Sequence, residues 1–472
     1  MIRHIFTNSA GILASRVFGL IRDLLTASIL GANIYSDIFF VAFKLPNLFR
    51  RIFAEGAFTQ SFLPAFTRAK FKAQFSARIF LIFLSVIALF TVIVQLYPKL
   101  ITNIIAFGFS NELIELCAPL LAINFFYLAL IFVVTFISSL LHYKNHFATT
   151  AYSTALLNLA IIGALLLSNK MEPSKIVYYM SYSVIIGGLM QLFVHILALY
   201  KVKMNTIFFG GFKYLFNQKK GVKEQQNRFF KQFIPAVWGN STAQISAFLD
   251  TFLATFLATG AVSYLYYANR IYQLPLALFA IATATALFPS ISRHLKYDRV
   301  DEALEQLQKV FWLLLTLLSL SAIGGIIFSE EVIILLFEHG AFTAEDTIKS
   351  STVLQMYLIG LVPFGMAKLF LLWLYADGRI AKSALIASIS LGFNIVLALI
   401  LFSPLGASGL ALAGSLGGVV LFILSVKEFG KTRFLGIISD NKKLIIYLLI
   451  TFSTTIFFIL IKDSVHDYLR FG

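Results

Sequence analysis

The spacing of apolar runs along this chain leaves few folds open to it. A helix needs about 20 mostly apolar residues to cross the roughly 30 Å hydrocarbon core of a bilayer. Thirteen such runs can be laid out, at 6–30, 33–49, 78–98, 113–141, 147–168, 177–200, 232–258, 262–289, 310–328, 351–375, 383–402, 406–426 and 443–461. Lipid offers no hydrogen-bond partners, so a run of this length must satisfy its own backbone as a helix. Composition agrees: 59% of the 472 residues are apolar, 13% are charged, and 50 are Phe. Water-soluble domains run nearer about half apolar and about a quarter charged. The expected class is an all-α polytopic membrane protein.

The loops give a direction. Alternate loops are basic: 50–78 holds six Lys and Arg, 201–231 holds eight, and 142–146, 293–309, 376–382 and 427–442 carry further Lys or Arg. The intervening loops differ: 259–261 and 403–405 are uncharged, and 329–350 carries Glu330, Glu331, Glu338, Glu345 and Asp346 against Lys349. Cytoplasmic loops hold the excess of Lys and Arg, so the N-terminus is expected in the cytoplasm and the C-terminus outside. The net charge of +16 is absorbed by these loops, and no nucleic-acid motif accompanies it. The first run carries charges in its middle and no small-residue cleavage site, so it reads as a retained helix. Cys117 is the one cysteine and has no partner for an internal disulfide.

An internal repeat organises the runs. Gly31, Ala32, Tyr35, Leu45 and Pro46 recur as Gly260, Ala261, Tyr264, Leu274 and Pro275, at a constant offset of 229 residues. Runs one to six and seven to twelve both begin inside, so the halves are parallel repeats. The expected organisation is an N-lobe at 1–200, a basic cytoplasmic linker at 201–231, a C-lobe at 232–426, and one extra C-terminal transmembrane helix with its tail at 427–472. Transporters of parallel halves bind substrate near the midplane.

Several charges lie inside the runs: Arg16, Arg22 and Asp23 in the first; Asp37 and Lys44 in the second, with Arg50 and Arg51 at its end; Asp250 in the seventh; Arg270 in the eighth; Lys368 in the tenth. Each costs at least about 2.5–3.5 kcal/mol to insert. Arg16 and Asp23 are seven residues apart on one helical face, as are Asp37 and Lys44. Two readings stay open: ion pairs that hold helices together, or a cationic cavity. Guanidinium forks suit phosphate, so the second points to an anionic, phosphate-bearing substrate. Asp250 with Asn394 makes either a monovalent-cation site or a structural polar contact. His195, near a run's end, is expected at the interface. No His/Cys cluster has metal-ligand spacing, and no catalytic motif of the Walker, GxSxG or HExxH kind occurs.

The stretches "SRVFGLIRD" (15–23) and "SDIFFVAFKLPNLFRRIFAEGAFTQSFLPAF" (36–66) strongly resemble the MurJ/MviN family of lipid II flippases. "YYANRIYQLPLALFAIATATALFPSIS" (266–292) and "LFEHGAFTAED" (336–346) are similar to that family's later signatures. The resemblance implies a MOP-exporter (MATE-like) fold of two six-helix lobes. It implies transport of the undecaprenyl-diphosphate-linked peptidoglycan precursor, lipid II, across the bacterial cytoplasmic (inner) membrane by alternating access, with no enzymatic reaction. By motif it assigns Arg16, Arg22, Arg50, Arg51 and Arg270 to the substrate, and Asp23, Asp37 and Glu55 to gating or ion pairing. Arg50 or Arg51 is expected to meet the diphosphate at the cytoplasmic mouth, with Glu55 orienting one guanidinium or closing a gate, and Phe53, Phe58 and Phe62 holding the segment at the interface.

This chain departs from the family pattern in three places. Many relatives have acids where it has Asn269 and Gln273, which argues against an inter-lobe salt bridge there. Asp250 and Asn394 match part of a sodium site of some members, but the residue four after Asn394 is Ala398. Relatives usually have fourteen spans, against thirteen here. No cofactor is expected; the drive is either the membrane potential or a monovalent cation. A monomer is expected, with cell-wall synthases as plausible neighbours. The rivals are a MOP exporter of another lipid-linked oligosaccharide, a cation-coupled drug antiporter sharing the fold, and a polyprenyl-phosphate transferase. The 36–66 motif argues against the first two. The third should show acidic catalytic or metal-binding motifs on cytoplasmic loops, whereas Asp298, Asp301 and Glu302 alternate with bases.

Overall fold

The computed structural model describes residues 2–51, 57–214 and 221–471. Its helices are α1 (Ile2–Leu30), α2 (Ile34–Phe49), α3 (Thr59–Arg68), α4 (Lys72–Leu96), α5 (Pro98–Ile105), α6 (Asn111–Tyr143), α7 (Ala148–Ser168), α8 (Pro173–Lys201), α9 (Asn205–Gly210) and α10 (Val222–Ala254). They continue with α11 (Ala261–Pro275), α12 (Ala282–Lys296), α13 (Val300–Ile327), α14 (Ser329–Phe337), α15 (Ala344–Ile359), α16 (Leu361–Ala376), α17 (Ile380–Phe429), α18 (Lys431–Ile438) and α19 (Asn441–Phe471). The described residues contain no strand. Every apolar run falls on helix. Among the described residues nine helical stretches are long and apolar enough to cross a membrane, with α17 counted once. The protein is an all-α, multi-pass membrane protein.

The last two runs of the repeat lie end to end in α17. Gly406, at φ 58° and ψ −138°, interrupts the helix two residues after Pro404. A side chain rarely tolerates that backbone conformation, so the uncharged 403–405 turn is written into the sequence.

The 229-residue repeat has a structural counterpart. Gly31 and Gly260 both adopt positive φ, 72° and 90°, and open α2 and α11. Pro46 lies in the last turn of α2 and Pro275 ends α11, and each helix is followed by π-helical residues: Arg50–Arg51 after the first, Leu276–Ile281 after the second. Proline removes a backbone N–H and crowds the preceding turn, and π-bulges are one way a helix absorbs that disturbance.

The chain forms two compact units, Met1–Phe248 and Leu249–Gly472. In the first, α7 packs along α1 and α8, and α6 along α2 and α8. Lipid tails are as apolar as the helices, so close packing rather than the hydrophobic effect joins them. At Gly11 of α1 a Cβ would come within 2.7 Å of Ala151 Cβ on α7; this pair closes only on glycine. Phe58, Phe62 and Phe66 are fully buried. Phe58 stacks on Phe62 at 5.2 Å and meets Phe132 of α6 at 5.7 Å and Phe229 of α10 at 6.0 Å. Phe58 and Phe62 therefore anchor their segment in an aromatic core rather than at a membrane interface. Phe53 and Glu55 lie outside the described residues.

In the second unit, α16 packs on α17, α11 on α15, and α19 on α13 and α14. Leu448, Phe452, Phe457 and Leu460 of α19 are exposed, as a lipid-facing helix requires. Two sets of contacts tie helix ends together. Arg470 at the end of α19 pairs with Glu330 (3.3 Å) and Glu338 (2.6 Å) in the acidic segment, and His466 pairs with Glu331 (3.0 Å). At the other end, Gln308 of α13 donates to the Ile437 carbonyl of α18, and Lys382 pairs with Glu428 at 2.8 Å.

Candidate functional site

The first unit presents cations on α1 and α2. Arg22 is tied down: its Nε (3.1 Å) and Nη2 (2.7 Å) both donate to Asp23 Oδ1, and its Nη1 donates to Asn158 Oδ1 on α7 (3.0 Å). The side chains of Arg22 and Asp23 are 11% and 3% exposed. A pair this buried survives only when its remaining polar atoms find partners, and Asn158 supplies one. The one-face spacing of Arg16 and Asp23 is real, but the acid pairs with its neighbour in sequence. Arg16 is exposed and makes no hydrogen bond or ion pair with a described residue. Of Arg16 and Arg22, Arg16 is the one whose charge is open to a ligand.

On α2, Asp37 is buried in the first turn, where a carboxylate meets the positive end of the helix dipole. The helix is capped by Asn33, whose side chain accepts from the Tyr35 and Ser36 amides. At the far end Arg50 and Arg51 are half-buried in the π-helical turn, and Arg50 Nε donates to Asn47 Oδ1 at 3.1 Å. Cys117 is buried against α2, its thiol 3.4 Å from the Ile38 carbonyl.

The second unit holds Arg270 on α11. Its Nη2 donates to Tyr266 Oη at 2.7 Å, and its guanidinium lies 4.8 Å from the Tyr266 ring centroid. One tyrosine a turn earlier thus fixes the arginine through both its hydroxyl and its face. Asn269 and Gln273, which replace the acids of many relatives, hydrogen-bond to each other along α11. Two amides four residues apart meet on one helix face and leave Arg270 without an acid on its own helix. Asp250 is half-buried on α10, and Asn394 is buried on α17 against Gly417. Lys368 lies 4.7 Å from the Phe364 ring. No group of three His, Cys, Asp or Glu with metal-binding geometry occurs among the described residues.

Sequence reasoning misses three partners: Asn158, Tyr266 and Asn47. A polar residue inside an apolar run is the signal that points to Asn158. His195 is fully buried rather than interfacial: Nδ1 bonds the Gln191 carbonyl (2.7 Å) and Nε2 the Ser138 hydroxyl (2.9 Å). The carbonyl can only accept, so Nδ1 carries the proton and Nε2 accepts.

The family model described as lipid II flippase MurJ matches residues 26–470. The chain belongs to the MurJ family. A probable lipid II flippase MurJ of Helicobacter pylori is 49% identical over 452 residues, covering 94% of this chain and 98% of that protein. One of Buchnera aphidicola is 32% identical over 452 residues, covering 93% and 85%. A solved structure titled lipid II flippase MurJ, inward closed conformation, is similar at TM-score 0.80 and 26% identity, covering 98% of both chains. An inward-facing MATE transporter of the MOP superfamily is similar at TM-score 0.70 and 13% identity, covering 90% of this chain and 96% of that one, which shows a shared fold alone. Arg50, Arg51, Asp250, Arg270 and Asn394 fall inside the MurJ match, while Arg16, Arg22 and Asp23 stand just before it.

Proposed function

We propose that this chain moves lipid II from the inner to the outer leaflet of the bacterial cytoplasmic membrane. The match to the MurJ family over residues 26–470 carries this reading. Its chemistry suits the charges: the substrate bears a diphosphate, and each unit places arginines on transmembrane helices. Arg16, Arg50 and Arg51 of the first unit and Arg270 of the second are the cations proposed to meet the diphosphate. Arg22, whose fork is held by Asp23 and Asn158, supports that charge from behind. Asp37 and Glu55 are proposed to gate or pair. The lobes are taken as 1–200 and 232–426, joined by the 201–231 linker and extended by 427–472.

The transport cycle is alternating access, with the polyprenyl tail remaining in lipid. The N-terminus lies in the cytoplasm, as the basic loops demand. One elementary charge crossing the membrane field is worth about 2.3 kcal/mol per 100 mV, so the potential can reset a cationic carrier. A monovalent cation at Asp250 and Asn394 is the alternative drive; Ala398 weakens it by removing a ligand. The chain is proposed to act as a monomeric carrier without a cofactor and without chemical conversion of its substrate, beside cell-wall synthases.

Purified protein in nanodiscs should bind lipid II and be displaced by undecaprenyl diphosphate, but not by hydrophobic cationic drugs. Displacement by the cations alone would replace this reading with a drug antiporter, and preference for another lipid-linked oligosaccharide would change the substrate.

A further inference from the structure

Asn158 touches α1 twice. From α7 its Oδ1 accepts from Arg22 Nη1 at 3.0 Å, and its Nδ2 donates to the Ser15 carbonyl at 3.1 Å. Ser15 and Arg22 are seven residues apart, about two helical turns, so both lie on the face that α7 covers. Gly19 stands between them, and a Cβ there would lie 3.5 Å from the Asn158 amide nitrogen. The side chain is buried on a helix that carries no charged residue. An amide there is tolerated because both of its functions are satisfied, and both are satisfied by α1.

The guanidinium of Arg22 is planar, and Asp23 and Asn158 both help hold it in that plane. Asp23 takes Nε and Nη2, and Asn158 takes Nη1. Asp23 alone is an adjacent residue on the same helix and moves with it. Asn158 refers the guanidinium to a second helix. Its other bond fixes the backbone beside Arg16, an exposed cation.

We propose that Asn158 is a positioning residue of the cationic site: it clamps α1 at Ser15 and Arg22 and so sets the direction in which α1 presents its positive charge. The proposal rests on the reading of these arginines as the diphosphate-binding groups.

The test measures lipid II affinity of the full chain in nanodiscs. Asn158→Leu removes both bonds. Asn158→Asp keeps an acceptor for Arg22 and loses the donor to Ser15. The clamp predicts about tenfold weaker binding for Asn158→Leu, the scale of one lost hydrogen bond to a charged group. It predicts an intermediate loss in Asn158→Asp, which gives up the Ser15 bond alone, and a smaller further loss when Asn158→Leu is added to Arg22→Ala, where only the Ser15 bond is left to break. Wild-type affinity in Asn158→Leu, an equal loss in Asn158→Asp, or additive losses in the double variant would each overturn it.

Hydrogen–deuterium exchange over residues 15–22 of ligand-free protein is read alongside. Faster exchange in Asn158→Leu supports the clamp even if wild type fails to bind lipid II, an outcome that would sink the substrate reading instead. Unchanged exchange would overturn the clamp without reference to any substrate.

Discussion

At the scale of single residues, the arginines of this protein differ in what holds them. Arg22 shares a buried pair with Asp23, and removing one partner of such a pair strands the other charge. Asp23→Ala should therefore destabilise the protein by about 3 kcal/mol, read as a lowered midpoint of thermal unfolding in detergent. An unchanged midpoint would show that Arg22 finds another partner. Arg270 is held by a hydroxyl and a ring from the same Tyr266. Tyr266→Phe removes a hydrogen bond from a charged donor, worth about 1.5 kcal/mol, and keeps the ring, so lipid II binding should weaken by about tenfold. Tyr266→Ala removes both and should weaken binding further; equal effects would deny the ring any part. The arginines are legible in sequence because a charge inside an apolar run is costly and therefore conspicuous. Asn158 is marked only as a polar residue inside an apolar run, and what it and Tyr266 touch emerges only in the structure.

Among the elements, α2 and α11 repeat one design: a glycine at positive φ to start, a proline in the last turn, and π-helical residues after the helix. Five identities at one spacing suffice to align these halves in the sequence, but the π-turns leave no pattern that could be read beforehand. The burial of Phe58 and Phe62 was equally hidden, since a phenylalanine beside arginines fits an interface as well as a core. The end of α19 offers a sharper test. Glu331 is 3% exposed and paired with His466. His466→Ala leaves a buried carboxylate without its partner and should cost about 2–3 kcal/mol, whereas the double variant His466→Ala/Glu331→Leu should cost less than about 1 kcal/mol. Thermal unfolding of the two variants decides; a double variant as unstable as the single would mean the pair contributes through packing alone.

For the whole molecule, the acidic segment 329–350 meets the C-terminal end of α19, and the basic-loop alternation expects both on the outer face. Cys117 is buried, so a Cys117→Ala background is suitable for mapping. A cysteine at Lys213 should react with a membrane-impermeant thiol reagent only after the cytoplasmic face is opened, and a cysteine at Glu345 should react in intact cells. The reverse pattern would invert the proposed topology.

The most direct measurement is made in cells depleted of their own lipid II flippase, with external accessibility of lipid II as the readout. Wild type and Arg270→Ala would be compared at matched expression. The account predicts that wild type restores exposed lipid II and growth, and that Arg270→Ala restores neither. Wild type that is well expressed and membrane-inserted yet exposes no lipid II would contradict the account.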